Sequence, residues 1–121
     1  KVSAPTTGWV GVGFNSQGAM DGANLFIGFK NGDTFKVQDG HGVGHSFQVD
    51  TTQNTSNVTG NQTSSTLTLS WIIPLNSGDS NDTLLTKDSQ TKVLLSYGTT
   101  VLSDTSFNQH SFFTSETITI K

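Results

Sequence analysis

The feature that most constrains this chain is the run Trp9-Val10-Gly11-Val12-Gly13-Phe14, followed after a short loop by Asn24-Leu25-Phe26-Ile27-Gly28-Phe29. Side chains of a strand alternate between its two faces. One face of the first run therefore carries Val10, Val12 and Phe14, and the other Trp9, Gly11 and Gly13. Glycine inside a strand weakens it and marks a place where a ligand or another backbone comes close. Two glycines beside a tryptophan predict a cleared sheet surface with an aromatic wall. The connecting loop holds the chain's only methionine, Met20, among Gly18, Ala19, Asp21 and Gly22. That is poor company for a core side chain.

The rest of the chain continues in short strands. Lys1 to Ala4 reads as the tail of a strand closed by Pro5. Lys30-Asn31-Gly32-Asp33 is a hairpin signal of the type I′ class, and it predicts that Thr34 to Gln38 pairs back with Phe35 and Val37 inward. Asp39 to His45 reads as a glycine-rich loop, with a short strand at Ser46 to Val49. Asp50 to Ser65 shows no apolar periodicity and reads as a long exposed loop or a weak hairpin. Thr66 to Ile73 alternates, with Leu67, Leu69, Trp71 and Ile73 on one face, and Pro74 ends it. Lys92 to Tyr97 avoids charge on both faces after its first residue and is expected to be a central strand. Gly98 to Gln109 reads as a connection, and Thr117 to Ile120 as a closing strand with Ile118 and Ile120 inward. No useful helical period appears. The expectation is a single all-β domain over residues 1–121, an antiparallel β-sandwich of immunoglobulin-like architecture.

Composition narrows the function classes. The 121 residues include six lysines, no arginine and no cysteine, with a net charge of −3. Phosphate contacts need clustered Lys and Arg, so nucleic-acid binding is not expected. Thiolate metal sites, disulfides and covalent haem attachment through cysteines are excluded. No apolar run approaches a membrane span, and no signal peptide is visible. A start at Lys1 reads as a processed product or a portion of something longer. Asn-x-Ser/Thr triplets occur at Asn54, Asn57, Asn61 and Asn81. A Ser/Thr-rich chain makes some of these by chance, but their crowding favours an extracellular or cell-surface glycoprotein.

Several of these segments together resemble the DOMON domain family. The resemblance is carried by the Gly-Trp-Val-Gly-Val-Gly-Phe strand, the Met20 loop and the Ala-Asn-Leu-Phe-Ile-Gly-Phe strand. Asp39 to Asp50 looks like that family's mid-domain loop, Leu67 to Leu75 like its long alternating strand, and Val93 to Gly98 like its apolar segment ending in Tyr-Gly. In the haem-binding branch, which includes the cytochrome domain of cellobiose dehydrogenase, a methionine and a histidine hold a b-type haem. Carried across, the resemblance implies Met20 and His110 as axial ligands. The family's strand ahead of the Gly-Trp strand is mostly absent here, which implies that it is missing or supplied by another chain through β-augmentation.

Read without that resemblance, Met20 is a gap-filler under a loop or a soft thioether ligand. His110 is a surface histidine or an imidazole ligand flanked by Phe107, Phe112 and Phe113. Trp9, Gly11, Gly13, Tyr97, Phe107 and Phe112 are the expected surroundings of the cofactor. His41 and His45, with Asp39 and Asp50 nearby, suggest a surface metal site, but a solvent-exposed loop is the simpler reading; either histidine would be the substitute ligand if Met20 failed. No Gly-x-Ser-x-Gly or His-Glu-x-x-His motif occurs, so catalysis by this chain is not expected. The resulting expectation is an extracellular electron-transfer domain with one non-covalent haem b. Its partners would be a redox protein or a neighbouring haem subunit, with a homo-oligomer or filament formed by strand donation. The alternatives are a haem-free sugar-binding module, with Trp9 and Tyr97 stacking on a ring, and a structural or adhesive surface subunit.

Overall fold

Alternation in the strands separates two faces, and the apolar residues of one face make the core between two sheets. A computed structural model describes residues 1–15, 17–102 and 110–121. In chain order the strands are β1 (Val2–Ala4), β2 (Trp9–Phe14), β3 (Asn24–Asn31), β4 (Thr34–Val43), β5 (Ser46–Val49), β6 (Ser56–Gln62), β7 (Leu67–Ile72), β8 (Gln90–Gly98) and β9 (Phe112–Thr119). They form an antiparallel sandwich: a three-stranded sheet in the order β1-β7-β6, and a six-stranded sheet in the order β5-β4-β3-β2-β8-β9. The smaller sheet lies over β2, β3 and β4. Among the described residues there is no helix, and so none that is long and apolar enough to cross a membrane.

Val10, Phe26 and Val37 from the large sheet meet Ala4, Leu67 and Leu69 from the small one, with Phe14, Phe35, Trp71, Ile73 and Tyr97 packed around them. Phe26, Leu67 and Leu69 are fully buried, and each such side chain stabilises the fold by roughly 1.5–3 kcal/mol. The expected inward faces of β4 and β7 are found. β8 is central in the large sheet, between β2 and β9.

Three expectations are corrected, and one left open between two readings is decided. The hairpin loop is Gly32-Asp33, because Asn31 still pairs with Thr34. Only Gly32 takes a positive φ, +61°, which is the requirement of a type II′ turn and not of I′. The glycine-rich stretch after Gln38 is no loop, since β4 runs on to Val43 and its Gly40 and Gly42 pair with Val49 and Phe47. Of the two readings of residues 50–65 the hairpin holds, since Ser56–Gln62 forms the exposed edge strand β6, paired antiparallel with β7. Its polarity hides it, because an edge strand buries little. Finally, β9 begins at Phe112, and its Ile118 is exposed because β9 is an edge that the small sheet does not cover.

Candidate functional site

The second face of β2 points away from the sandwich core. Register places Trp9, Gly11 and Gly13 opposite Phe29, Ile27 and Leu25 on one side. On the other side they oppose Gly98, Ser96 and Leu94. Trp9 is buried with Ile27, Phe29 and Leu102. It lies across Gly98, where a Cβ would run into the indole ring. This outer face floors a cavity of about 350 Å³, at the lower end of the roughly 300–1,000 Å³ usual for small-molecule sites. Leu25, Ile27 and Leu94 join the glycines in its floor, Trp9 walls it, and no charged side chain is among the described residues lining it. The glycines keep the floor low, although Ser96 and Leu25 lean into the space their missing side chains leave.

Met20 lines this cavity from the β2–β3 loop, and His110 and Phe113 line it from the start of β9. The loop leaves β2 after Phe14, whereas Phe112 pairs with Tyr97, one residue from Gly98 opposite Trp9. The two side chains therefore come in from opposite ends of β2. His110 is exposed and its ring lies 5.6 Å from that of Phe113. Met20 is half-buried against Ala23, Leu25 and Leu94.

The Met20 loop is held by residues that sequence reasoning passes over. The buried Asn15 donates its amide to the carbonyls of Ala19 at 2.7 Å and Asp21 at 3.0 Å, while its Oδ1 accepts from Gln17 N–H. Below the loop, Gly42 accepts from Gly22 N–H and donates to Ala23, and a Cβ at Gly42 would collide with the Met20 carbonyl. Asp21 Oδ1 accepts from Gly44 N–H, tying the loop to the β4–β5 turn that carries His45. Asparagine at a loop start is the only sequence signal for this scaffold. Asn15→Ala leaves the Ala19 and Asp21 carbonyls without their side-chain partner. It is expected to lower stability by about 1–3 kcal/mol in urea unfolding, with near-wild-type strand content by circular dichroism.

Other candidates fall elsewhere. Tyr97 and Phe112 face the opposite side of the sheet, stacked on each other at 5.4 Å, with their own groove beside β1. Period-2 geometry explains it: Tyr97 pairs with Val10, whose side chain enters the core. Trp9 and Tyr97 therefore cannot stack on one ring together. Phe107 lies outside the described residues. His45 lines the cavity, but His41 does not: it donates from Nδ1 to Asp50 Oδ1 at 2.5 Å, on the other face of β4. The exposed-loop reading of Asp39 and His41 is thus overturned, since Asp39 is fully buried and His41 is paired. Asn57 and Asn61 stand exposed on β6; Asn81 is exposed but its amide donates to Asp50, and Asn54 Oδ1 is buried.

Lys92, on β8, reaches the rim. A Cβ on Gly18 would sit 3.2 Å from its Cδ and 3.5 Å from its ammonium nitrogen. The site thus combines an apolar slot, a soft sulfur donor, two imidazoles and one cation at its mouth. No curated protein gave a significant match to the chain. The DOMON domain model matches residues 1–98, which takes in β1 to β8 and stops short of His110. Such domains are typical of extracellular or secreted proteins and act in ligand binding or electron transfer rather than catalysis. By that match and by its two-sheet architecture, this chain belongs to the DOMON family.

Proposed function

We propose that this domain is an extracellular b-type cytochrome module that holds one haem non-covalently between Met20 and His110. The observation that carries the reading is that these two residues, remote in sequence, line one apolar cavity. Haem b bound there supplies a one-electron iron couple. The residues of the chain divide the remaining work. His110 offers a neutral imidazole nitrogen and Met20 a thioether sulfur, the donor pair used in electron-transfer haems. Met20 and His110 would be the two residues that hold the haem, and the bound group would then serve single-electron transfer. Trp9, Ile27 and Leu94 exclude water from the slot, and Lys92 stands where a carboxylate at the mouth would find a cation.

Titration of the purified protein with hemin tests the proposal. The expected result is uptake of one equivalent, a low-spin spectrum and a sharp α-band on reduction. Absence of uptake would defeat the cytochrome reading and leave a haem-free ligand-binding module. One variation has its own support: His45 also lines the cavity, from the same end of β2 as Met20. A His45/His110 pair would also give a low-spin haem, but without the far-red sulfur-to-iron band that methionine ligation produces. His45→Ala separates the two, since Met20 ligation survives it.

A further inference from the structure

On the core side of the sheet, at the end of the sandwich away from β1, three carboxylates converge. One oxygen from each of Asp39, Asp50 and Asp82 lies within 4.8 Å of the others. Ligands held at about 2.4 Å from a common ion cannot be further apart than about 4.8 Å. The protein engages one oxygen of the buried pair and leaves the other bare. Asp39 Oδ2 accepts from Asn54 N–H at 2.9 Å, while its Oδ1 has no partner among the described residues. Asp50 Oδ1 accepts from His41 and Asn81, while its Oδ2 has none. Asp82 Oδ1 is likewise unpartnered.

A second observation is independent of the acidic groups. The side chain of Asn24 is almost wholly buried, and its Oδ1 has no hydrogen-bond partner among the described residues. It lines a small cavity together with Asp82 and Asn54, whose Oδ1 is also buried and unpartnered. Five buried oxygens are thus unsatisfied in two groups that share Asp82: the three carboxylates, and Asn24 with Asn54 on the small cavity. Buried oxygens of this kind call for a bound water or a cation. No lysine forms an ion pair with these groups; among the described residues the one ion pair is His41–Asp50.

We propose that Asp39, Asp50 and Asp82, with the amide oxygen of Asn24, form a structural calcium site. The donor set is all oxygen, which suits a hard cation such as calcium better than zinc, whose protein sites are built mainly on nitrogen and sulfur. His41, donating to Asp50, acts as an outer partner that orients a ligand. Left without a cation, the cluster is costly: burial pushes the Asp39 carboxyl up to about 7, with Asp82, Asp50 and Asp79 raising it further against the hydrogen bond from Asn54. The site has a clear structural task. Residues 73–89 contain no strand, and Asp82 lies in their middle. A cation bridging Asp82 to Asp39 on β4 and to Asp50 after β5 staples this long segment to the sandwich.

The test is calcium binding by protein stripped with EDTA. Terbium luminescence reports occupancy, because Trp71 packs on Phe26, which lines the same small cavity. One ion per chain is expected, with a dissociation constant at or below about 1 mM and a raised melting temperature. Asp82→Asn and Asp39→Asn should each weaken binding at least about tenfold. Asp82 is only half-buried in its loop, so that variant keeps the test open if Asp39→Asn misfolds. The proposal is overturned by no binding up to about 10 mM calcium, by affinity unchanged in Asp82→Asn, or by an equal thermal shift with sodium chloride at matched ionic strength. The haem reading stands or falls separately, because the two cavities lie on opposite faces of the large sheet.

Discussion

Met20→Ala protein loaded with hemin is expected to turn from low-spin to high-spin and to lose its sharp reduced α-band. The change removes one axial donor and leaves the loop backbone intact, because Asn15 and Gly42 hold that loop through its carbonyls and amides. Folding should be nearly unaffected, since Met20 is only half-buried. The reduction potential should fall as well, because a thioether opposite histidine raises it. His110→Ala should be the more damaging, since the surviving methionine is the weaker anchor; we expect hemin affinity to drop by at least about tenfold. Both variants are checked by one reduced-minus-oxidised spectrum and one hemin titration. An unchanged low-spin spectrum in Met20→Ala would transfer the ligand role to His45. An unchanged spectrum in His110→Ala would remove the proposed pair altogether.

The second large effect is at Trp9. Trp9→Ala empties a site that is 1 % exposed, and truncations of this kind cost about 3–5 kcal/mol. Against a typical domain stability of about 5–15 kcal/mol, that is a large share. The melting temperature should fall by roughly 10–25 °C for a domain of this size. Leu69→Ala is the matched control. It should cost about 2–5 kcal/mol, but from the core side of the large sheet, away from the cavity. Both variants should therefore melt early, and only Trp9→Ala should also bind hemin more weakly. Equal loss of hemin affinity in both would mean that uptake follows global stability and that the Trp9 wall has no part of its own.

These contrasts rest on which face each residue occupies, and much of that is legible in the residues themselves. Alternation along Trp9 to Phe14 is enough to put Trp9, Gly11 and Gly13 together, and the same rule orients Leu67, Leu69 and Val37. Tyr97 and Phe112 are harder to place. Aromatic character alone groups them with Trp9, but both pair into the inward register, and a pairing partner cannot be read from one strand. The stretch from Asp39 to Val43 misleads for a different reason. Glycine signals a turn locally, but Gly40 and Gly42 answer to crowding from Phe47 and from Met20, residues that are distant or in another strand.

What the sequence determined by itself was the all-β sandwich, the family and the two faces of β2. Strand periodicity is a local property, written in neighbouring residues. Which side chains meet is not local. Only the tertiary structure brought His45 beside Met20's slot, turned His41 towards Asp50, and gathered Asp39, Asp50 and Asp82 around a buried centre. Those encounters depend on sheet order and register between strands far apart in the chain. They also depend on burial, which decides whether an aspartate is a solvated turn former or a charge that needs a counter-ion.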